Sequence, residues 1–168
     1  MLEEALTGLP EEDSALRARL LVALAGRRLA DGANWDLAGP ASRHGLDMAR
    51  RVGDAATLQA VLWEWHRNAY FIPETLEERI RVADELVDLA MRTRNREWLI
   101  WALEWRSADR FEVGNIPGMV SDLDVAAREA EQLRLPFLIW GATFQRVAVA
   151  CSTGGSVTPR RSPTPPWL

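Results

Sequence analysis

The sequence predicts an all-α protein of stacked antiparallel helical hairpins, and three observations support this class. No segment alternates apolar and polar residues in the way that a half-buried strand requires. Four residues stand at i, i+3, i+4 and i+7, on one face of a helix, and these are Trp98, Trp101, Ala102 and Trp105. The spacing recurs about forty residues later in Phe137, Trp140, Gly141 and Phe144, and more weakly about forty residues earlier in Thr57, Ala60, Val61 and Glu64. Repetition at one interval predicts hairpins that stack in series.

The first two helices are predicted from their stop and cap residues. Residues 2–9 are predicted to be the tail of a helix that Pro10 and an acidic turn close. Either Asp13 or Ser14 caps the next helix, because both side chains accept a hydrogen bond from the first helical turn. This second helix ends near Ala30.

A proline places the start of the third helix. Pro40 is suited to the first helical position, where its missing N–H costs no hydrogen bond. The helix then continues to Val52, and Trp35 and Leu37 fall in an irregular connection before it.

Cap residues also define the middle of the chain. Asp54 caps a helix over residues 56–69. Thr75 and Glu78 have the spacing of a capping box, which opens a long helix through Leu89.

The last predicted helices follow the tryptophan signature. Asn95 caps the tryptophan helix, which fades near Gly114. Helical periodicity resumes over residues 119–133. Leu135 and Pro136 form a short break, after which the last helix is predicted to run to about Cys151.

The second helices of the predicted hairpins share a seam of small and apolar residues. Its members are Ser42, Leu46 and Ala49, then Ala83, Val87 and Ala90, then Leu123, Ala127 and Ala130. Small residues let neighbouring helices approach closely, while the larger ones fill the seam. Chance amphipathicity in an alanine-rich chain is the alternative, but it does not explain why both helix types repeat at one interval.

Composition narrows the class of function. The net charge of -4 gives no electrostatic basis for binding nucleic acid. All the positive charge is arginine, so neither a Walker-type lysine nor a Schiff-base lysine is available. Cys151 is the only cysteine, which excludes an internal disulfide and fits a reducing compartment. With no signal-peptide pattern and no apolar run of membrane length, we expect a cytoplasmic protein that does not enter a membrane.

The chain divides into a helical domain and a tail. We expect a repeat domain over residues 1–151, with three to four hairpins of which the last is incomplete. Residues 152–168 are rich in Pro, Ser and Arg, and we expect this tail to be disordered. The final helix would then keep an exposed apolar face that allows self-association. Two origins of the tail remain open, a truncated or frame-shifted product of a longer repeat protein and a natural proline-rich ending.

The signature that begins at Trp98, with the seam at Ala83, resembles the tetratricopeptide repeat. That family places a bulky residue, an apolar residue, Gly or Ala and then an aromatic residue on its first helix. The units at Trp98 and Phe137 match this pattern well, and the unit at Thr57 is degraded. The interval of about forty residues is longer than the family's usual value of about 34. The resemblance implies a TPR-like right-handed superhelix of stacked hairpins over residues 14–150.

Two longer segments, residues 48–58 and 75–86, narrow the resemblance. They are similar to the helical-repeat region of large bacterial ATP-dependent transcriptional regulators of the LuxR and SARP types, and of related cyclase-linked regulators. In those families the repeats act as a sensor or docking surface. The resemblance therefore implies a non-catalytic binding module whose partner is a protein or peptide segment or a small effector.

The register of the signature predicts which residues bind that partner. In a TPR-like stack the first helices line the concave face, and apolar residues flanked by arginines suit an acidic or amphipathic helix or a small anion. The predicted ligand-binding residues are Leu62, Trp65, His66, Leu103, Arg106, Ser107, Gln145 and Arg146. The alternative is that the leucines pack against neighbouring repeats and the arginines are solvated. Trp101 is predicted to lie in the core.

Catalytic and metal sites are not predicted. His44 and His66 lie on different predicted helices without a ligand-spaced partner, and each is expected at the surface or half-buried. No glycine-rich phosphate loop precedes a helix. We therefore expect a non-enzyme without cofactor or metal. Two alternatives remain, a small all-α enzyme with its site between hairpins and a nonfunctional fragment.

Overall fold

A computed structural model of the chain describes residues 2–138 together with residues 140, 141, 144 and 147. In this part of the chain every regular element is helical, which confirms the all-α class. The helices are α1 (Leu2–Thr7), α2 (Ala15–Ala30), α3 (Trp35–Val52), α4 (Ala55–Ala69), α5 (Leu76–Arg92), α6 (Arg96–Glu112) and α7 (Ile116–Leu133), with a 3-10 turn at Pro73–Thr75. Residues 136–138, 140, 141, 144 and 147 are helical as well, and we call these described residues the last helix.

The helices alternate with a regular interval. The odd members of the series, α3, α5 and α7, begin at residues 35, 76 and 116, and their partners α2, α4 and α6 begin at residues 15, 55 and 96. The closest pairs are α2 with α3 and α6 with α7. The helix α4 contacts α2, α3 and α5, and α6 packs closely on α5. The pairs therefore follow one another in chain order, and each first helix is enclosed by several neighbours.

Five helices begin with a side-chain cap. Each cap oxygen accepts a hydrogen bond from the backbone N–H three residues later, and the caps are Ser14, Asn34, Asp54, Asn95 and Asn115. Ser14, rather than Asp13, caps α2, and Asp13 instead pairs with Arg51 at 2.5 Å. Asn115 caps α7, so that helix begins at Ile116, three residues earlier than the sequence predicted.

The prediction for the start of α3 was wrong. Asn34 caps this helix, which begins at Trp35 and carries Pro40 inside it. The indole of Trp35 meets the edge of Trp65, with 5.9 Å between the ring centroids, and lies over Gly39. A Cβ at Gly39 would stand 2.8 Å from that indole, so glycine is required there. The cap and the packing of Trp35 offset the one hydrogen bond that proline removes.

The predicted capping box does not form. The Thr75 hydroxyl donates to the carbonyl oxygens of Ala69 and Ile72, at 2.9 and 2.7 Å, and makes no cap hydrogen bond. Glu78 pairs with Arg43 on α3 at 3.0 Å instead. Because the Thr75 hydroxyl already hydrogen-bonds within the connection between α4 and α5, it does not cap α5. That helix continues to Arg92, three residues beyond the predicted end.

The core runs through all the hairpins. Every residue of the predicted second-helix seam is buried except Ala127, which is half-buried. Trp65 is the largest fully buried side chain among the described residues, whereas Trp98 and Trp101 are half-buried and pack against the core from its edge. Trp101 is therefore a boundary residue, although we expected it in the core. Residues 152–168, where we expected a disordered tail, lie outside the described part of the chain.

Candidate functional site

Most residues of the predicted concave face are interior. Leu62, Trp65, His66, Leu103 and Ser107 are all buried, with at most 3% of their surface exposed. The physical reason is that neighbouring helices surround α4 and α6. The side of each helix that was predicted to line the concave face is therefore packed against protein. The expectation that these five side chains form an open lining is therefore wrong in this structure.

Arg106, another predicted ligand-binding residue, is held by carboxylates of the chain itself. Its guanidinium donates two hydrogen bonds to Asp122, at 2.9 and 2.7 Å, and a third to Asp84 at 3.1 Å. Arg110 approaches the same Asp122 carboxylate at 2.8 Å. An anionic ligand would have to displace a bidentate carboxylate from Arg106, so this residue is poorly placed for capture of anions. Gln145 and Arg146 lie outside the described residues.

A buried polar cluster lies where α4, α5 and α6 meet. His66 Nε2 lies 2.7 Å from Asp109 Oδ2, and Arg79 Nη1 lies 3.2 Å from Asp109 Oδ1. Arg79 also donates to Glu112 and, at 3.0 Å, to the carbonyl oxygen of Tyr70. The side chains of His66, Asp109 and Arg79 are fully buried, whereas Glu112 reaches the surface. The cluster therefore joins three helices through one enclosed carboxylate.

Aromatic rings close the cluster on one side. Trp105 lies 4.8 Å from the His66 ring and 5.0 Å from the Tyr70 ring, measured between centroids. The Arg79 guanidinium stands 5.3 Å from the centre of the Tyr70 ring, within cation–π range. Burial raises the pKa of the Tyr70 hydroxyl. A histidine–aspartate pair is a familiar catalytic arrangement, but here a substrate has no route to it unless the hairpins separate.

A row of exposed aromatic side chains lies along the last helix. Phe137, Trp140 and Phe144 are 64%, 62% and 59% exposed, and Val147 continues the row. The ring centroids are 6.2 Å apart from Phe137 to Trp140 and 5.5 Å apart from Trp140 to Phe144, where the rings stack. We call these four residues the aromatic row. Large apolar side chains in a contiguous exposed row mark an interaction surface more often than isolated ones do.

The last helix is seated on α6 beside a buried carboxyl group. Phe137 packs against Trp101 with 5.9 Å between the ring centroids, and Leu138 is buried. Glu104 of α6 is only 9% exposed. A Cβ at Gly141 would lie 3.1 Å from Glu104 Oε1, so the small residue allows the two helices to meet closely. Burial raises the pKa of the Glu104 carboxyl to about 7.

Three further observations on the described residues concern a surface depression, the grouping of metal-ligating side chains and the hydropathy of the helices. An open depression is lined by the α5–α6 turn and the end of α7, namely by residues 93–97, Leu133 and Leu135. No group of three or more metal-ligating side chains occurs in the described part of the chain. Among the helices that the structure describes, none is both long enough and apolar enough to cross a membrane.

Comparisons with protein-family models, with curated proteins and with solved structures found no match to this chain.

The sequence predicted an exposed apolar face on the final helix that allows self-association, but none of its aromatic residues was among the predicted ligand-binding residues, and the polar cluster was not predicted. The row follows from the repeated spacing at Phe137, and the exposed face expected there is present. His66 and Asp109 are 43 residues apart on different helices, and nothing in the local sequence links them. His66 was expected at the surface or half-buried and is fully buried, while His44 is exposed. One sequence signal could have predicted the polar cluster: Asp109 and Arg79 are charged residues at positions that should face a neighbouring helix.

Proposed function

We propose that this chain is a non-catalytic helical-repeat binding module whose aromatic row takes an amphipathic helix of a protein partner. The observation that carries the proposal is the exposure of Phe137, Trp140 and Phe144 at one end of the stack. Three large rings left in water on one helix face cost free energy, which a partner helix would recover by covering them.

The chain's own packing supports a helix as the occupant. The tryptophan helix α6 carries the same four-residue spacing, and its Trp101 packs against Phe137 of the following first helix. The small residue at the equivalent position of the last helix, Gly141, permits close approach to α6. The last helix presents the same pattern at the end of the series. A partner helix with an apolar stripe would pack against the last helix in the way that the last helix packs against α6.

The family resemblance supports a regulatory setting. We propose that the hairpins form a TPR-like right-handed superhelix and that the chain acts in the cytoplasm as a sensor or docking segment of a bacterial transcriptional regulator of the LuxR or SARP type. The forty-residue alternation of helices is compatible with that arrangement. The net negative charge argues against direct contact with nucleic acid.

A labelled synthetic peptide tests the proposal. The peptide spans Arg96–Glu112, the chain's own aromatic-faced helix, and its fluorescence anisotropy is followed as the full-length protein is added. We expect saturable binding that weakens at least tenfold when Trp140 and Phe144 are both changed to Ala, because the two stacked rings supply the buried apolar area.

The matched control is Phe71→Ala, which removes an exposed ring far along the chain from the last helix. It should leave the affinity unchanged. Absence of binding, or equal binding by the Trp140/Phe144 variant, would contradict the proposal. A dimer in sedimentation that dissociates in the same variant, without peptide binding, would instead identify a second copy as the occupant and overturn the choice of partner.

A further inference from the structure

We propose that the Glu104 carboxyl controls the seating of the last helix: the protonated form holds the helix against α6, and the ionised form releases it. This inference rests on the proposed function, since the last helix carries the aromatic row. It adds regulation by pH to that binding site.

The geometry places Glu104 under the last helix. The residue is more than nine-tenths buried, and its Oε1 atom has no hydrogen-bond partner among the described residues. Gly141 lies directly over this oxygen, with 3.1 Å from Oε1 to the position a Cβ would take. If the carboxyl ionised, Oε1 would carry negative charge in a place that lacks both water and a hydrogen-bond donor, which makes the charged form unfavourable.

Several charged groups of the surrounding helices pair with one another rather than with Glu104. On α4 and α5, His66 and Arg79 face Asp109, and Asp84 pairs with Arg106. On α6 and α7, Arg106 and Arg110 pair with Asp122.

Between positions 136 and 147 the sequence contains one charged residue, Arg146, which lies outside the described part of the chain. Burial is the cause of the raised pKa of Glu104, and no charged partner among the described residues contributes to it.

The direction of the pH effect follows from this burial. With the helix seated, desolvation raises the pKa of Glu104 to about 7, from the value of 4.5 expected when the carboxyl is open to water. The seated state therefore holds a proton that the released state loses between these two values. The equilibrium constant for seating falls as the pH rises, by up to about tenfold per pH unit in that window.

Hydrogen–deuterium exchange of the full chain measures seating without any partner. Protection factors for the amides of residues 136–147, corrected for the intrinsic pH dependence of exchange, are compared at about pH 5 and about pH 7. We expect wild-type protection to fall on the order of tens of fold across this interval. Glu104→Gln keeps the size of the side chain but cannot ionise, so its protection should not change with pH.

Glu97→Gln removes an exposed carboxyl on the same helix and should retain the wild-type response. Protection that does not depend on pH in the wild type, or an equal response in Glu104→Gln, would overturn the proposal. So would an Arg146→Gln variant that loses protection at both pH values together with Glu104→Gln, because this would show an ion pair rather than a neutral carboxyl.

The peptide assay separates this inference from the proposed function. If Glu104→Gln binds the Arg96–Glu112 peptide while its seating and that of the wild type are insensitive to pH, the regulatory inference fails and the binding site stands. If seating responds to pH but no peptide binds at either pH, the proposed function fails and the role of Glu104 stands.

Discussion

Asp109 shows how much one residue contributes to the assembly of the hairpins. Its carboxylate is fully buried, lies 2.7 Å from His66 and faces the buried guanidinium of Arg79. A buried charge without its partner is costly, because it loses hydration and gains nothing in return. Asp109 therefore couples α4, α5 and α6. Its loss would leave Arg79, among the described carboxylates, with the partly exposed Glu112 as its counterion.

Asp109→Asn should destabilise the fold by on the order of 3 kcal/mol, since it removes the negative charge while keeping the shape of the side chain. Chemical denaturation followed by circular dichroism measures this change in the free energy of unfolding. The control Asp88→Asn alters an exposed carboxyl on α5 and should stay within about 0.5 kcal/mol of wild type. Equal effects from the two variants would show that the buried cluster does not stabilise the hairpins.

At the scale of single residues, the sequence shows which chemical groups are available but does not predict which of them contact one another. The single Cys151 excludes an internal disulfide, and the lack of lysine excludes a Walker-type or Schiff-base lysine within this sequence. The contact between His66 and Asp109 depends on how two helices are rotated against each other, which local spacing does not determine. Arg106 was misjudged for the same reason, because Asp84 and Asp122 reach it from helices on both sides of α6 in the chain.

Individual helices were largely predictable because their first turns carry local signals. Asp54 and Asn95 cap α4 and α6 as predicted, and Ser14, one of the two predicted candidates, caps α2. The start of α3 was missed, since Pro40 was assigned to the first turn although Asn34 provides the cap. A side-chain cap and a buried indole outweigh a single missing N–H, and that balance is set by tertiary contacts with Trp65.

Asn34→Ala tests the cap of α3 at the level of one element. We expect it to lower the free energy of unfolding by about 0.5–2 kcal/mol, because the N–H of Leu37 loses its acceptor. Asn34→Gly is the matched variant and should cost only a few tenths of a kcal/mol, since glycine is also accepted at this position. A thermal or urea melt measures both changes, and an alanine variant as stable as wild type would argue against Asn34 as the cap.

At the scale of the whole molecule, the alternation of first and second helices was predictable from the sequence. Which helix faces are exposed to solvent was not. The all-α class and the interval of about forty residues followed from the spacing of aromatic and small residues. The accessible surface did not, because it depends on how many neighbours surround each first helix. The helix α4 contacts α2, α3 and α5, so the leucine and tryptophan assigned to its concave face are interior. Among the helices that the structure describes, the last helix leaves Phe137, Trp140 and Phe144 exposed on one face.

The most direct test of this account is a hydrogen-exchange footprint of the full chain with and without the Arg96–Glu112 peptide. Amides of residues 136–147 should gain protection when the peptide binds, because a partner helix would cover the aromatic row. Protection gained instead around residues 62–66 and 103–107, with none over the last helix, would contradict the account and return binding to the face that the sequence first indicated.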